Sequence, residues 1–172
     1  MAKIGSSDIK LRLTGGAANT NPLLSLGGAP SNTDANTATL FRKITDAEAL
    51  AGKILYRAVA VVNVSTLALA LEAAKLWLTA NTPSGTTNMK VGIDPAAVNT
   101  NSQVVANEST SPSGVTFVNA ADKANGLQLP DLPGNSTNGF QIVWFEYTVD
   151  ANTQAVNDSV AVRVEGATQA TP

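Results

Sequence analysis

The stretch QIVWFEYTV, residues 141–149, alternates along its length: Val143, Phe145, Tyr147 and Val149 share one face. That period of two belongs to a pleated strand. Downstream, residues 159–165 repeat the pattern, with Val160, Val162 and Val164 facing inward and Ala161, Arg163 and Glu165 outward. Upstream, ILYRAVAVVN (54–63) is apolar on both faces, which predicts a central strand covered on each side. Val115–Val118 reads as a short strand. Leu127–Leu129, followed by Pro130 and Pro133, reads as an edge strand, because proline cannot donate to an internal ladder.

Residues 65–81 carry two periodicities. Leu67, Leu71, Ala74 and Leu78 recur at helical spacing behind Ser65, while Leu76 and Leu78 alternate with Lys75, Trp77 and Thr79. The Thr82-Pro-Ser-Gly turn and the alternating Met89, Val91 and Ile93 favour strand for 74–80, paired in a hairpin with 89–93. Residues 95–114 read as a long loop. Short strands separated by turns from Ile54 to Glu165 predict an all-β fold, an antiparallel β-sandwich of immunoglobulin-like or jelly-roll type.

The N-terminal part is different. Residues 7–14 alternate Ile9, Leu11 and Leu13 with Lys10 and Arg12, one strand ended by Gly15-Gly16. From Gly15 to Thr39 nearly every residue is small or polar. Such a run is either disordered or an extended arm that orders on a neighbouring surface. Leu23, Leu24 and Leu26 favour the arm, as anchors for a groove. An apolar patch at Leu40–Ile44 precedes Asp46–Ala51, a helical turn stopped by Gly52. The expected organisation is thus an N-terminal strand and extended arm (1–52), a sandwich (53–167) that stays folded when residues 1–39 are removed, and a frayed tail (168–172).

Composition narrows the function. Among 172 residues there is no cysteine and no histidine, which excludes disulfides, thiolate nucleophiles, a Ser-His-Asp triad and His- or Cys-held metals. Eleven basic against 13 acidic residues give a net charge of −2, unlike a nucleic-acid binder; the slight basic start at Lys3, Lys10 and Arg12 is opposed by Asp8. No export signal is visible, and the longest apolar stretch, Leu67–Leu78, is broken by Glu72 and Lys75, so the expectation is a soluble protein made in the cytoplasm. Sequons at Asn63, Asn107, Asn135 and Asn157 are expected by chance in so Asn-rich a chain.

Candidate chemistry is sparse. Asp94, Asp122, Asp131, Asp150 and Asp158 fall near loops where carboxylates could hold calcium, but no calcium-loop spacing is present and aspartates in turns ordinarily bond their own backbone. Glu146 could be one of a catalytic carboxylate pair; alone on a strand it reads as a solvated or ion-paired group. Gly15-Gly16 and Gly27-Gly28 lack the lysine and strand–helix setting of a phosphate loop. Tyr56, Trp77, Trp144, Phe145 and Tyr147 could stack on a sugar, or divide between core and interface. The strand phasing turns Trp77 and Trp144 away from the inward face, toward another chain or the N-terminal arm. No catalytic residue, cofactor or metal is expected.

Taken in order, SDIKLRLTGGAANTNPLLSLGG (7–28), ILYRAVAVVN (54–63), AKLWLTANTPSG (74–85), MKVGIDPAAVN (89–99), ANESTSPSGVTF (106–117), GLQLPDLPG (126–134) and IVWFEYTVDANTQAVNDSVAVRVEG (142–166) resemble a group of tailed-bacteriophage virion proteins. The resemblance spans nearly the whole chain, each piece being low in chemical specificity. The sequence departs from the expected pattern at Phe145-Glu146-Tyr147, where a more basic pair would follow the tryptophan, and in the Ala/Leu-rich run 67–74. The resemblance implies a non-enzymatic capsid decoration or cement protein on the outside of the virion. Its implied partners are the major capsid protein and neighbouring copies of itself, as dimer or trimer, with no nucleic acid and no membrane. A tail or baseplate component, or a carbohydrate-binding module, is the alternative. The interface candidates are Ile9, Leu11, Leu13, Leu23, Leu24, Leu26, Leu40, Phe41, Trp77 and Trp144.

Overall fold

The two most apolar strands lie side by side at the centre. In a computed structural model describing residues 3–80, 85–134, 139–154 and 160–168, β3 (Lys53–Asn63) and β7 (Phe140–Val149) pair antiparallel from Lys53↔Val149 to Val62↔Phe140. Odd-numbered Val59, Val61, Val143 and Phe145 enter one apolar cluster. Even-numbered Tyr56, Ala58, Ala60, Val62, Ile142 and Trp144 enter another on the opposite face. Both faces are covered, which is why β3 reads as a continuous apolar run.

The sheet grows outward from this pair. β1 (Ile9–Thr14) joins β3 with Leu11 opposite Val61 and Leu13 opposite Val59, and β2 (Pro30–Asp34) flanks β1. β5 (Thr87–Ile93) joins the other side of β7, with Val91 opposite Phe145. The resulting order is β2-β1-β3-β7-β5. A second sheet has β4 (Leu71–Ala80) between the two-residue β6 (Leu127–Gln128) and β8 (Ala161–Thr168). The sheets pack face to face as an all-β antiparallel sandwich. Between them Leu71, Ala74, Leu76 and Leu78 meet Leu13, Val59, Met89, Val91 and Phe145. Each large aliphatic buried there contributes about 1.5–3 kcal/mol. The single α-helix among the described residues, α1 (Asp46–Ala51), starts on a Thr45–Glu48 capping box and ends at Gly52, the stop its sequence predicts.

Some expectations change. β4 and β5 are strands but not a hairpin: they lie in opposite sheets, facing each other across the core. Alternation sets which face of a strand is buried and leaves its neighbour open. Of the expected Thr82-Pro-Ser-Gly turn, residues 82–84 fall outside the described residues, as do 169–172 of the expected tail, while Thr168 is the last residue of β8, opposite Leu71. Val115–Val118 is a covering loop with one bridge, Val91↔Val118, and Val115 and Phe117 pack on the outer cluster. β4 carries a bulge at Ala73, whose φ is 48°, and Gly166 on β8 faces it. A Cβ on Gly166 would sit 2.8 Å from the Glu72 carbonyl oxygen, so the bulge needs glycine there.

The segment 15–39 is extended, and its course runs along this chain's own sheet. The Ser25 Oγ accepts from the Thr14 amide (2.8 Å) and donates to the Ala58 carbonyl (2.6 Å), while the Ala58 amide donates to the Ser25 carbonyl (2.9 Å). Ser25 thus continues the edge of β3 where β1 stops, and Glu108 does the same one step further, accepting from the Tyr56 amide at 2.7 Å. Because β1 lies between β2 and β3 and buries Leu13, no packing boundary falls at residue 52. Removing residues 1–39 would strip the core of one side, so the sandwich is not expected to survive that deletion.

Candidate interaction surface

Leu23 and Leu24 are 40 % and 60 % exposed on a 3₁₀ turn, Pro22–Leu24. The turn is rigidly built. Asn19 Oδ1 accepts from the Asn21 amide (2.9 Å), and Asn21 Oδ1 accepts from the Leu23 amide (3.0 Å). Asn19 Nδ2 donates to the Thr14 carbonyl (2.6 Å), anchoring the turn to the end of β1. Pro22 presets the first dihedral of the turn. Asparagine's ability to bond its own backbone two residues on explains much of its abundance here; Asn36 and Asn107 act in the same way.

Beyond the turn, Leu26 tucks against the outer cluster and Gly27 bridges Val104, which is 70 % exposed. Gly27 has φ 103°, and a Cβ there would lie 1.9 Å from the Gln103 carbonyl oxygen. Only glycine lets the N-terminal segment and the 94–118 loop approach so closely. Leu23, Leu24 and Val104 are therefore exposed apolar side chains held on two cross-linked segments. Val104 carries no sequence signal: it stands beside Val105 in a polar loop, and nothing in the pair says that Val105 is buried and Val104 exposed.

A chain of charges centres on Arg57 of β3. Arg57 is 1 % exposed, and its guanidinium bonds the carbonyls of Leu40 (3.2 Å) and Tyr56 (2.9 Å) and the Glu108 carboxylate. Glu108 also accepts from Arg42 Nε (2.7 Å), and Arg42 grips Glu48 through both terminal nitrogens at 2.7 and 2.6 Å. Burial pushes the Glu108 carboxyl up, but hydrogen bonds from Arg57 and Arg42, together with their charges, hold it below its ordinary value. Hydrogen bonds that Glu48 accepts from Arg42 and from the Thr45 amide hold its carboxyl well below the usual carboxylate range. The network ties the 40–48 segment, β3 and the long loop together. Arg42, Glu48 and Glu108 stay partly exposed, while Arg57 is buried.

The remaining candidates divide. Leu13 and Leu40 are core, 2 % and 1 % exposed. Phe41 is half-buried between Tyr147 (centroids 5.5 Å apart) and the Arg57 guanidinium, 5.7 Å from its ring. Ile9 and Leu11 line a shallow cleft with Ser6, Val162 and Val164. Trp77 and Trp144, expected to face a partner, are 7 % and 0 % exposed. The phasing of Trp144 is as read, away from the inter-sheet core, but the 94–118 loop and Leu26 cover that face. Its Nε1 donates to Asp94 Oδ2 at 2.8 Å. Trp77 lies under the Arg163 guanidinium at 5.7 Å.

The aspartates serve local structure. Asp94 also caps the Ala96 amide (2.9 Å), Asp131 accepts from the Ala73 amide at the bulge (3.2 Å), and Asp122 closes a turn on Asn125. Asp150 is exposed and Asp158 lies outside the described residues. Among the described residues no group of acidic side chains could hold a metal ion. Glu146 pairs with Lys90 at 3.4 Å. Asn63 is fully buried, its Nδ2 donating to the carbonyls of Leu69 and Leu132, so that sequon cannot carry sugar. Compared with known proteins, the chain matches no protein-family model, no curated protein and no solved structure.

Proposed function

We propose that this chain is a non-enzymatic structural protein of a bacteriophage particle, a decoration protein that binds the outer capsid surface and bridges major capsid subunits. The observation that carries the reading is the pair Leu23–Leu24, exposed on a turn locked by Asn19, Asn21 and Pro22. A pre-ordered apolar knob loses little conformational freedom on docking, so more of its burial, about 1.5–3 kcal/mol per leucine, is expressed as affinity. Modest contacts suffice where many copies act together on one lattice. The resemblance of the chain to virion proteins supplies the partner.

The double variant Leu23→Ser, Leu24→Ser tests it on particles lacking the protein. Unchanged circular dichroism and melting, with lost particle binding and lost protection against heat-induced genome release, supports the proposal. Full binding by the variant overturns it. Intact particle stability with lost host adsorption instead assigns the chain to the tail or to an adhesin.

A further inference from the structure

Each sheet of a sandwich has edges, and an unguarded edge is a template for another strand. Three of the edges here are blunted. β2 is five residues long and begins with Pro30; β6 is two residues long and is followed at once by Leu129-Pro130. β5 is closed by Val118, which exchanges backbone bonds with Val91 at 3.1 and 2.9 Å. β8 differs. It is eight residues long and contains no proline; among the described residues its backbone pairs with β4, the Thr37–Thr39 turn lies near its start, and the Glu165 side chain accepts from Lys123.

The direction of its free groups follows from β4. The Leu78 amide donates to the Ala120 carbonyl, away from β8, so the pair Leu78↔Val162 is a non-hydrogen-bonded one. The Ala161 carbonyl accepts from Thr79 on the β4 side, and the Val160 carbonyl accepts from Thr37 on the other. Alternation then points the amides and carbonyls of Val162, Val164 and Gly166 to the open edge. On the core side of that edge Val162 and Val164, with Ile9 and Leu11, line the shallow cleft.

From this edge we infer that β8 is a homodimerisation strand, pairing antiparallel with β8 of a second copy about a two-fold axis at Val164. The charges select both the occupant and the register. Centring on Val164 sets Val164 against its own equivalent and Val162 against Gly166, both with groups that face the open edge. It also sets Arg163 directly opposite the partner's Glu165, twice by symmetry. Centring one residue either way sets Arg163 against Arg163 or Glu165 against Glu165, and like charges directly opposite destabilise a pair. In the single chain Arg163 and Glu165 are 64 % and 43 % exposed and 3.8 Å apart; Arg163 lies over the Trp77 ring and Glu165 also pairs with Lys123, so the partner's Arg163 would join an existing pair at Glu165. The partner's Val164 falls on the cleft side and extends its apolar lining over Ile9 and Leu11. The result is a six-stranded sheet continuous across two copies. This inference does not depend on the capsid reading; it holds for the protein free in solution.

Sedimentation equilibrium over a range of concentrations, with Arg163→Glu, Glu165→Arg and the double swap, tests it. A reversible dimer is expected for the wild type. Each single swap is expected to raise the dimer Kd by about tenfold or more, and the double swap to bring it back. Val164→Pro removes an amide that faces the open edge while leaving the β4 ladder intact, and is expected to be monomeric with an unchanged circular dichroism spectrum. A wild type that stays monomeric throughout overturns the inference, as does a dimer indifferent to both single swaps or not rescued by the double one.

Discussion

Replacing Glu108 by Gln isolates the worth of the buried charge network. The substitution keeps size and one acceptor oxygen, removes the negative charge, and turns an NH₂ group toward one of two arginines. Arg57, 1 % exposed, is then left with the carbonyls of Leu40 and Tyr56 and no counter-charge. Removing one partner of a buried pair costs about 3–5 kcal/mol. The Glu108 side chain is 22 % exposed, so water screens part of the loss and about 2–4 kcal/mol is expected. For a chain of this length that lowers Tm by roughly 2–4 °C per kcal/mol, or about 6–12 °C for the middle of the range. Urea denaturation and calorimetry measure both.

The pH dependence provides a second reading. Glu108 titrates lower in the folded than in the unfolded chain. Its contribution is therefore fully present above the unfolded glutamate value, about 4.3, and fades as pH falls through the folded value. Between pH 5 and pH 3 the wild type is expected to lose more stability than Glu108→Gln. Replacing both partners by apolar residues, Arg57→Met with Glu108→Leu, is expected to recover most of the loss, because no uncompensated charge stays buried. A loss below about 0.5 kcal/mol for Glu108→Gln, the range of an ordinary surface substitution, with a pH profile parallel to wild type, would refute the reasoning.

Other contacts give sharp expectations. Gly27→Ala is expected to cost more than about 1 kcal/mol and to weaken hydrogen-exchange protection at the Val105 amide, which donates to Leu26. Gly16→Ala is its control, since Gly16 has a similar φ of 97° but nothing within 4 Å of a new Cβ; the difference between the two measures the clash alone. Trp144→Phe deprives buried Asp94 of the 2.8 Å donor and is expected to cost about 1–3 kcal/mol in urea denaturation, beyond the change in buried area. Equal stability of Trp144→Phe and wild type would mean that Gln103 or water replaces the indole.

Strand existence was legible wherever period-two patterning was long. β1, β5, β7 and β8 follow their apolar alternation, β3 follows its continuous apolar run, and α1 ends at the glycine that stops it. The ambiguous run at 65–81 resolves to β4, and its helical spacing reflects the bulge at Ala73, which shifts the phase of the apolar residues partway along the strand. β2 was not legible. Pro-Ser-Asn-Thr-Asp has no alternation of apolar residues, and it is a strand because β1 offers it an edge. Pairing was least legible: nothing in Met89, Val91 and Ile93 says that β5 belongs beside β7 and not beside β4.

One kind of local bonding buries the candidate tryptophans and exposes two of the candidate leucines. Trp144 does point away from the inter-sheet core, and a sheet face that apolar would ordinarily announce a partner. Its cover is a polar, proline-containing loop with almost no regular structure. Such a loop can seal an apolar face only if its backbone groups are satisfied, and here they are: Asn107 bonds the Ser109 amide, Gln103 bonds Ser113 through both ends of its amide, and Asp94 bonds Ala96 and Trp144. The residues that make the segments read as open loop are those that let them serve as a third layer. The same chemistry at Asn19 and Asn21 lifts Leu23 and Leu24 out of that layer and holds them in solvent. A turn that needs two asparagines and a proline to display two leucines stabilises an arrangement that burial alone would remove, and this contrast with the buried tryptophans directs the search for a binding surface to the turn.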